Sequence, residues 1–223
     1  MSSYLNLKNI HYHFLSKHLE KKKKKNESST EIINEDNDVI QKVDNIYKYI
    51  LSLTPHEKKN FLLSLKISRN FKSPHHYSAS VYLLDNYVVR KNLKSNVMGN
   101  FLFQNEISAL KKLQPYNYFP KLLGYDNRRL SIFMTFCGEQ ISSKNLPEDW
   151  EKQIDDIETI LTNVNVNSND MILRNVCVLN KRIYIIDFGL YSQFSVSIKE
   201  TISKLKYDLR NISVNKKNLL YNI

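Results

Sequence analysis

The chain has 223 residues, of which 42% are hydrophobic and 11% aromatic. That is enough apolar surface to build a core, and it excludes wholesale disorder. Thirty-three Lys and Arg against 22 Asp and Glu give a net charge of +11, which suits an anionic partner such as a nucleotide, nucleic acid, acidic protein or membrane surface.

Residues 4–20 have helical apolar spacing, with Leu7, Ile10, Phe14 and Leu15 on one face. His11, His13 and His18 read as part of its polar face. Residues 21–38, KKKKKNESSTEIINEDND, read as a disordered, solvated Lys-rich linker. Residues 39–52 are amphipathic, with Val39, Val43, Ile46, Tyr47 and Ile50 on a stripe. Thr54, Pro55 and Glu57 then form a capping box with proline at the first helical position. It predicts a helix over 55–67 that buries Phe61, Leu62 and Leu65.

The stretch 80–90, SVYLLDNYVVR, predicts a hairpin turning at Asp85-Asn86. Residues 101–113 form the strongest helical pattern, with Phe103, Ile107, Leu110 and Leu113 inward. Strands follow over 121–124 and 130–136. A helix over 147–162 has Trp150, Ile154, Ile157 and Leu161 inward, and a second hairpin pairs 176–179 with 182–186. One or two helices are expected after Gly189.

No apolar run reaches the roughly 20 residues of a membrane helix. The polar N-terminus does not read as a secretory signal. Cys137 and Cys177 supply neither a disulfide framework nor a metal-ligand spacing, so a reducing, intracellular and cytoplasmic setting is expected.

The chemistry is concentrated in Asp170, Asn175 and Asp187-Phe188-Gly189, placed at the two ends of the second hairpin. That hairpin brings two carboxylates and an amide to one mouth. Such oxygens suit magnesium, which binds through few protein ligands together with phosphates. Phosphoryl transfer needs both that metal and an acid to accept a hydroxyl proton.

This order and spacing resembles the protein-kinase-like superfamily, in which a catalytic-loop aspartate is followed five residues on by asparagine, then a hairpin and Asp-Phe-Gly. The resemblance extends over about residues 70–190. Asn105-Glu106-Ile107 looks like the helix whose glutamate pairs with the phosphate-binding cation. Residues 120–125 fit the fourth strand. Residues 131–141, SIFMTFCGEQI, look like the fifth strand and hinge, with Met134 as gatekeeper and the Thr135 and Cys137 main chains toward adenine. Cys137 itself reads as a small buried apolar residue.

The sequence also departs from the family pattern. The positions of the glycine-rich loop are Pro74, His76 and Ala79, and His75-His76 reads as a solvated pair. Ser168-Asn169 stands for His-Arg, Ile172 for the usual lysine, and no Ala-Pro-Glu follows Gly189. The stretch after Gly189 is also too short for the usual helical substrate platform. Arg174-Asn175 echoes a variant of tyrosine kinases and small atypical kinases. The phosphate-binding lysine aligns with Arg90, with Lys91 adjacent. Because Arg90 shares a strand face with Val88, Arg90 is expected to face the cleft and pair with Glu106, and Lys91 to point to solvent.

The resemblance therefore implies an α+β, two-lobed kinase-like domain over 70–223 with a truncated C-terminal lobe. A helical extension precedes it over 1–69. The economy is similar to Bud32-type and giant-virus kinase-like proteins, and the Asn-, Lys- and Ile-rich composition, typical of AT-rich genomes, suits a viral comparison, in which the setting would be host cytoplasm or virion.

The implied activity is transfer of the ATP γ-phosphoryl group to a hydroxyl, on protein Ser/Thr. Asp170 would be the base, Asn175 and Asp187 the magnesium ligands, and Arg90 or Lys91 with Glu106 the phosphate grip. A nucleotide-binding scaffold without turnover, and a sugar- or aminoglycoside-type small-molecule kinase, are the alternatives. No membrane partner is expected, and nucleic acid is indicated by nothing beyond the basic charge.

Overall fold

A computed structural model describes residues 32–71, 79–168, 170–192 and 197–221. The helix expected over 4–20, the lysine run and Pro74 to His76 lie outside the described residues. The protein is a mixed α+β structure.

Helix α1 (Ile32–Ser52) starts inside the stretch expected to be a linker. Once its second half is nucleated against the sheet, each further residue adds a hydrogen bond at little cost. Helix α2 (Pro55–Ser64) has the capping box that the sequence announces. The Thr54 hydroxyl accepts from the Glu57 N–H, and the Glu57 carboxylate accepts from the Thr54 N–H at 3.0 Å. It stops before Ile67 because strand β1 (Ile67–Phe71) begins there. This strand is mostly exposed and lacks apolar alternation, so periodicity could not reveal it.

Strands β2 (Ala79–Leu84) and β3 (Val88–Leu93) form the first predicted hairpin. Asp85 and Asn86 both adopt positive φ in the turn, as a primed turn requires. Helix α3 (Val97–Leu113) begins earlier than the apolar pattern, because the Asn96 side chain caps it by accepting from the Gly99 N–H at 2.8 Å. Strands β4 (Leu122–Asp126) and β5 (Ser131–Thr135) complete an antiparallel five-stranded sheet of order β1-β2-β3-β5-β4.

A short β6 (Glu139–Gln140) then pairs with the second hairpin, β8 (Val176–Leu179) and β9 (Arg182–Ile185). Helix α4 (Trp150–Asn163) has Trp150, Ile154, Ile157 and Leu161 buried, as its spacing predicts. Between them β7 (Asn167–Ser168) pairs with β10 (Tyr191–Ser192), and among the described residues a single helix, α5 (Ile198–Tyr221), follows.

Two apolar clusters organise these elements. The larger holds α3, one face of the sheet, α4, α5 and the β8–β9 hairpin together. The smaller lies on the other face, where Ile50 of α1 and Leu62 of α2 meet Leu84, Val88, Leu123 and Phe133. The N-terminal extension thus covers the back of the sheet, and both faces of β3 are buried. Among the described residues no helix is long and apolar enough to cross a membrane.

Candidate functional site

A cavity of about 850 Å³ opens between the five-stranded sheet and the β8–β9 hairpin. Lys91, Glu106, Thr135, Cys137, Asp170, Asn175 and Asp187 all line it.

Strand β3 supplies Lys91 and α3 supplies Glu106, with Nζ and Oε2 2.6 Å apart. The same ammonium donates to Asp187 Oδ1 at 2.8 Å. Lys91 and Glu106 are both buried, whereas the Asp187 side chain remains 36% exposed toward the cavity. Burial disfavours the Lys91 cation, but the two carboxylates outweigh it and hold the lysine protonated well past its ordinary range. Burial also pushes Glu106 up to about 7, against the pull of Lys91 and of a hydrogen bond from the Phe188 main chain.

The expected pairing of Glu106 with Arg90 is overturned. Arg90 lies on the opposite face of β3, its guanidinium 4.9 Å from the centroid of the Tyr82 ring. Strand alternation itself holds, since Val88 and Arg90 do share a face, but that face is the one under α1 and α2. A sheet buried on both sides has apolar residues in both registers, so Val88 did not mark the cleft, and a one-residue error exchanges the two cations.

Asp170 and Asn175 are organised by a short 3-10 turn, Leu173–Asn175. The Asn175 Nδ2 donates to the Asp170 carbonyl at 2.8 Å and to its Oδ2 at 3.0 Å. Arg174 adds contacts of 3.2 and 3.3 Å to the same carboxylate. With its nitrogen committed, Asn175 has Oδ1 as the atom with which to take a cation. At the base of the hairpin the Ile186 N–H donates to the Asn175 carbonyl at 2.9 Å, tying the residue before Asp187 to Asn175. Asp187 itself has φ of +65°, a conformation that aspartate tolerates better than most residues.

Among the described residues no three His, Cys, Asp or Glu side chains lie close enough to hold a metal ion by themselves. The hard oxygens of Asp187 and Asn175 fit magnesium if phosphate oxygens complete its shell.

Thr135 is buried. Its N–H and hydroxyl are engaged with the Lys121 main chain at 3.0 and 2.9 Å, so what it can offer the cavity is its carbonyl, which the Cys137 thiol contacts at 3.6 Å. Gly138, next in the connection to β6, has φ of +88°, and a Cβ there would lie 2.0 Å from the Val178 carbonyl oxygen. The close approach between connection and hairpin therefore requires glycine.

Burial, with Cys177 as a neighbouring thiol, raises the Cys137 thiol well above its ordinary value. Burial, with Glu139, pushes Cys177 up to about 12. The thiolate is the nucleophile, so neither cysteine should react with iodoacetamide at pH 8 in the folded protein, while both should react in denaturant. Mass spectrometry of the two samples checks this, and rapid native labelling of either residue would contradict it.

No protein-family model matches the chain, and no curated protein matches it in sequence.

Proposed function

We propose that the chain is a phosphotransferase with a protein-kinase-like, two-lobed domain, and that it moves the ATP γ-phosphoryl group to a hydroxyl on protein Ser/Thr. The observation that supports this best is the joining, across one cavity, of a buried Lys91–Glu106–Asp187 cluster to an Asp170–Asn175 pair.

In this reading Lys91 grips the phosphates and Glu106 fixes its ammonium. The Thr135 carbonyl and the Cys137 main chain meet the base of the nucleotide. Asp170, oriented by Asn175, accepts the proton of the acceptor hydroxyl as its oxygen bonds to the γ-phosphorus and ADP departs. Magnesium, held by Asp187 and Asn175, would neutralise the charge on the transferring phosphates.

The absence of glycine between residues 70 and 90 favours a second reading, a nucleotide-binding scaffold without turnover, because a phosphate-cradling loop ordinarily needs glycine for close main-chain approach.

At a ligand concentration of about 100 times Kd, ATP with magnesium should stabilise the protein by about 2.7 kcal/mol. Asp187→Ala should abolish most of that shift. A variant that shifts as far as the parent in a thermal melt would remove Asp187 from the metal site. Binding without transfer to either a protein or a sugar and aminoglycoside panel would select the scaffold. Transfer to small molecules alone would change the acceptor class.

A further inference from the structure

Asn105 has no part in the chemistry above, yet its side chain sits where two parts of the site meet. It directly precedes Glu106 on α3 and is half-buried. Its Nδ2 donates to the Gly189 carbonyl and to the Tyr191 carbonyl, each at 3.1 Å. A primary amide has two N–H groups, and here both are spent on alternate carbonyls of the stretch that follows Asp187.

The neighbouring Glu106 carboxylate accepts from the Phe188 main chain, so two successive side chains of one helix hold successive residues of the Asp187-Phe188-Gly189 segment. Two turns further along α3, Lys112 Nζ donates to the Tyr191 hydroxyl at 2.8 Å. That hydroxyl in turn reaches the Asn165 carbonyl at 3.3 Å. Phe188 is fully buried, with its ring 5.9 Å from that of Phe119. The backbone held in this way includes the positive φ of Asp187, a conformation that persists only where its surroundings impose it.

The geometry points to Asn105 as a positioning residue: by bridging the Gly189 and Tyr191 carbonyls to the helix that carries Glu106, it sets the backbone that aims Asp187 and keeps Lys91, Glu106 and Asp187 assembled before any ligand arrives. The metal-binding consequence rests on the phosphotransferase reading, whereas the clamp itself does not. It touches neither substrate nor metal. It acts through Asp187, so a loss at Asn105 appears as a weaker hold on magnesium rather than on nucleotide.

Asn105→Asp keeps the shape, removes both donors and sets a carboxylate against two carbonyls. Asn105→Ala removes the donors alone and serves if the first variant folds poorly. In hydrogen exchange without ligand, either variant should accelerate the amides of residues 188–191 by about tenfold or more, with those of β2 and β3 unchanged. The magnesium concentration that gives half of the ATP-dependent stabilisation should rise by about five- to tenfold, while ATP affinity in chelator stays at the parental value.

A purely structural role would lower the melting temperature and leave both the exchange pattern and the magnesium midpoint in place, which would overturn the proposal. If the parent shows no magnesium-dependent response to ATP, the phosphotransferase reading falls instead, and unchanged exchange over 188–191 would still refute the clamp.

Discussion

Lys91→Ala should destabilise the protein by about 3–5 kcal/mol, the usual cost of removing one partner from a buried ion pair. The ammonium is the shared cation of two carboxylates, one of them 1% exposed. Without it Glu106 is a buried acid beside Asp187, and its ionised form has lost its principal attraction. Glu106 should therefore hold its proton to still higher pH than in the parent.

The sign of the pH dependence follows from this. A folded-state pKa above the unfolded value means that the native state binds more protons, so stability falls as pH rises between those two values. Parent and variant lose this proton-linked stability together up to about pH 7, where Glu106 of the parent titrates, so the deficit of Lys91→Ala should be nearly constant below pH 7 and should grow as pH rises beyond it. Denaturant melts at pH 6 and pH 8.5 test this, and an equal deficit at both would show that Glu106 does not carry the cost. At pH 6, where enough of the variant should remain folded to titrate, ATP affinity should fall about tenfold or more, roughly 1.4 kcal/mol. Arg90→Ala should leave ATP affinity nearly unchanged, because its side chain is on the far face of β3. The reverse order would put the sheet register in error.

Asp170→Asn should leave nucleotide binding intact and reduce turnover by about 10²–10⁴-fold, the range for a lost general base. The replacement keeps the shape of the side chain but not its proton affinity. Oδ2 of Asp170 accepts from Asn175, and Arg174 spans both carboxylate oxygens, so the carboxylate is held in place rather than free to search. A loss confined to kcat is the signature of a group that acts on the acceptor in the transition state. Unimpaired transfer would assign the proton to another carboxylate.

Much of this architecture is legible in the residues. The capping box at Thr54, the inward stripes of α3 and α4 and the hairpin over Val176–Leu179 and Arg182–Ile185 all appear where local pattern places them. Asp170, Asn175 and Asp187 line one cavity because a hairpin of four-residue strands returns the chain to its starting point.

What local pattern could not decide depends on distant packing. The face of β3 is chosen by α1 and α2, which cover its back and make Val88 as buried as any cleft residue. Strand β1 carries no apolar alternation, and its Arg69 pairs with Glu139, seventy positions away, at 2.6 Å. Asn105 looks like any polar residue on a helix. Only the return of Gly189 and Tyr191 to α3 gives it two acceptors.

The most direct measurement is transfer from γ-labelled ATP, with magnesium, to a panel of protein acceptors, followed by identification of the phosphorylated residue. The proposed centre predicts label on Ser or Thr with the parent protein, none with Asp187→Ala, and a rate reduced by about 10²–10⁴-fold with Asp170→Asn. Equal labelling by all three proteins, or no labelling by a parent that binds ATP and magnesium, would contradict it.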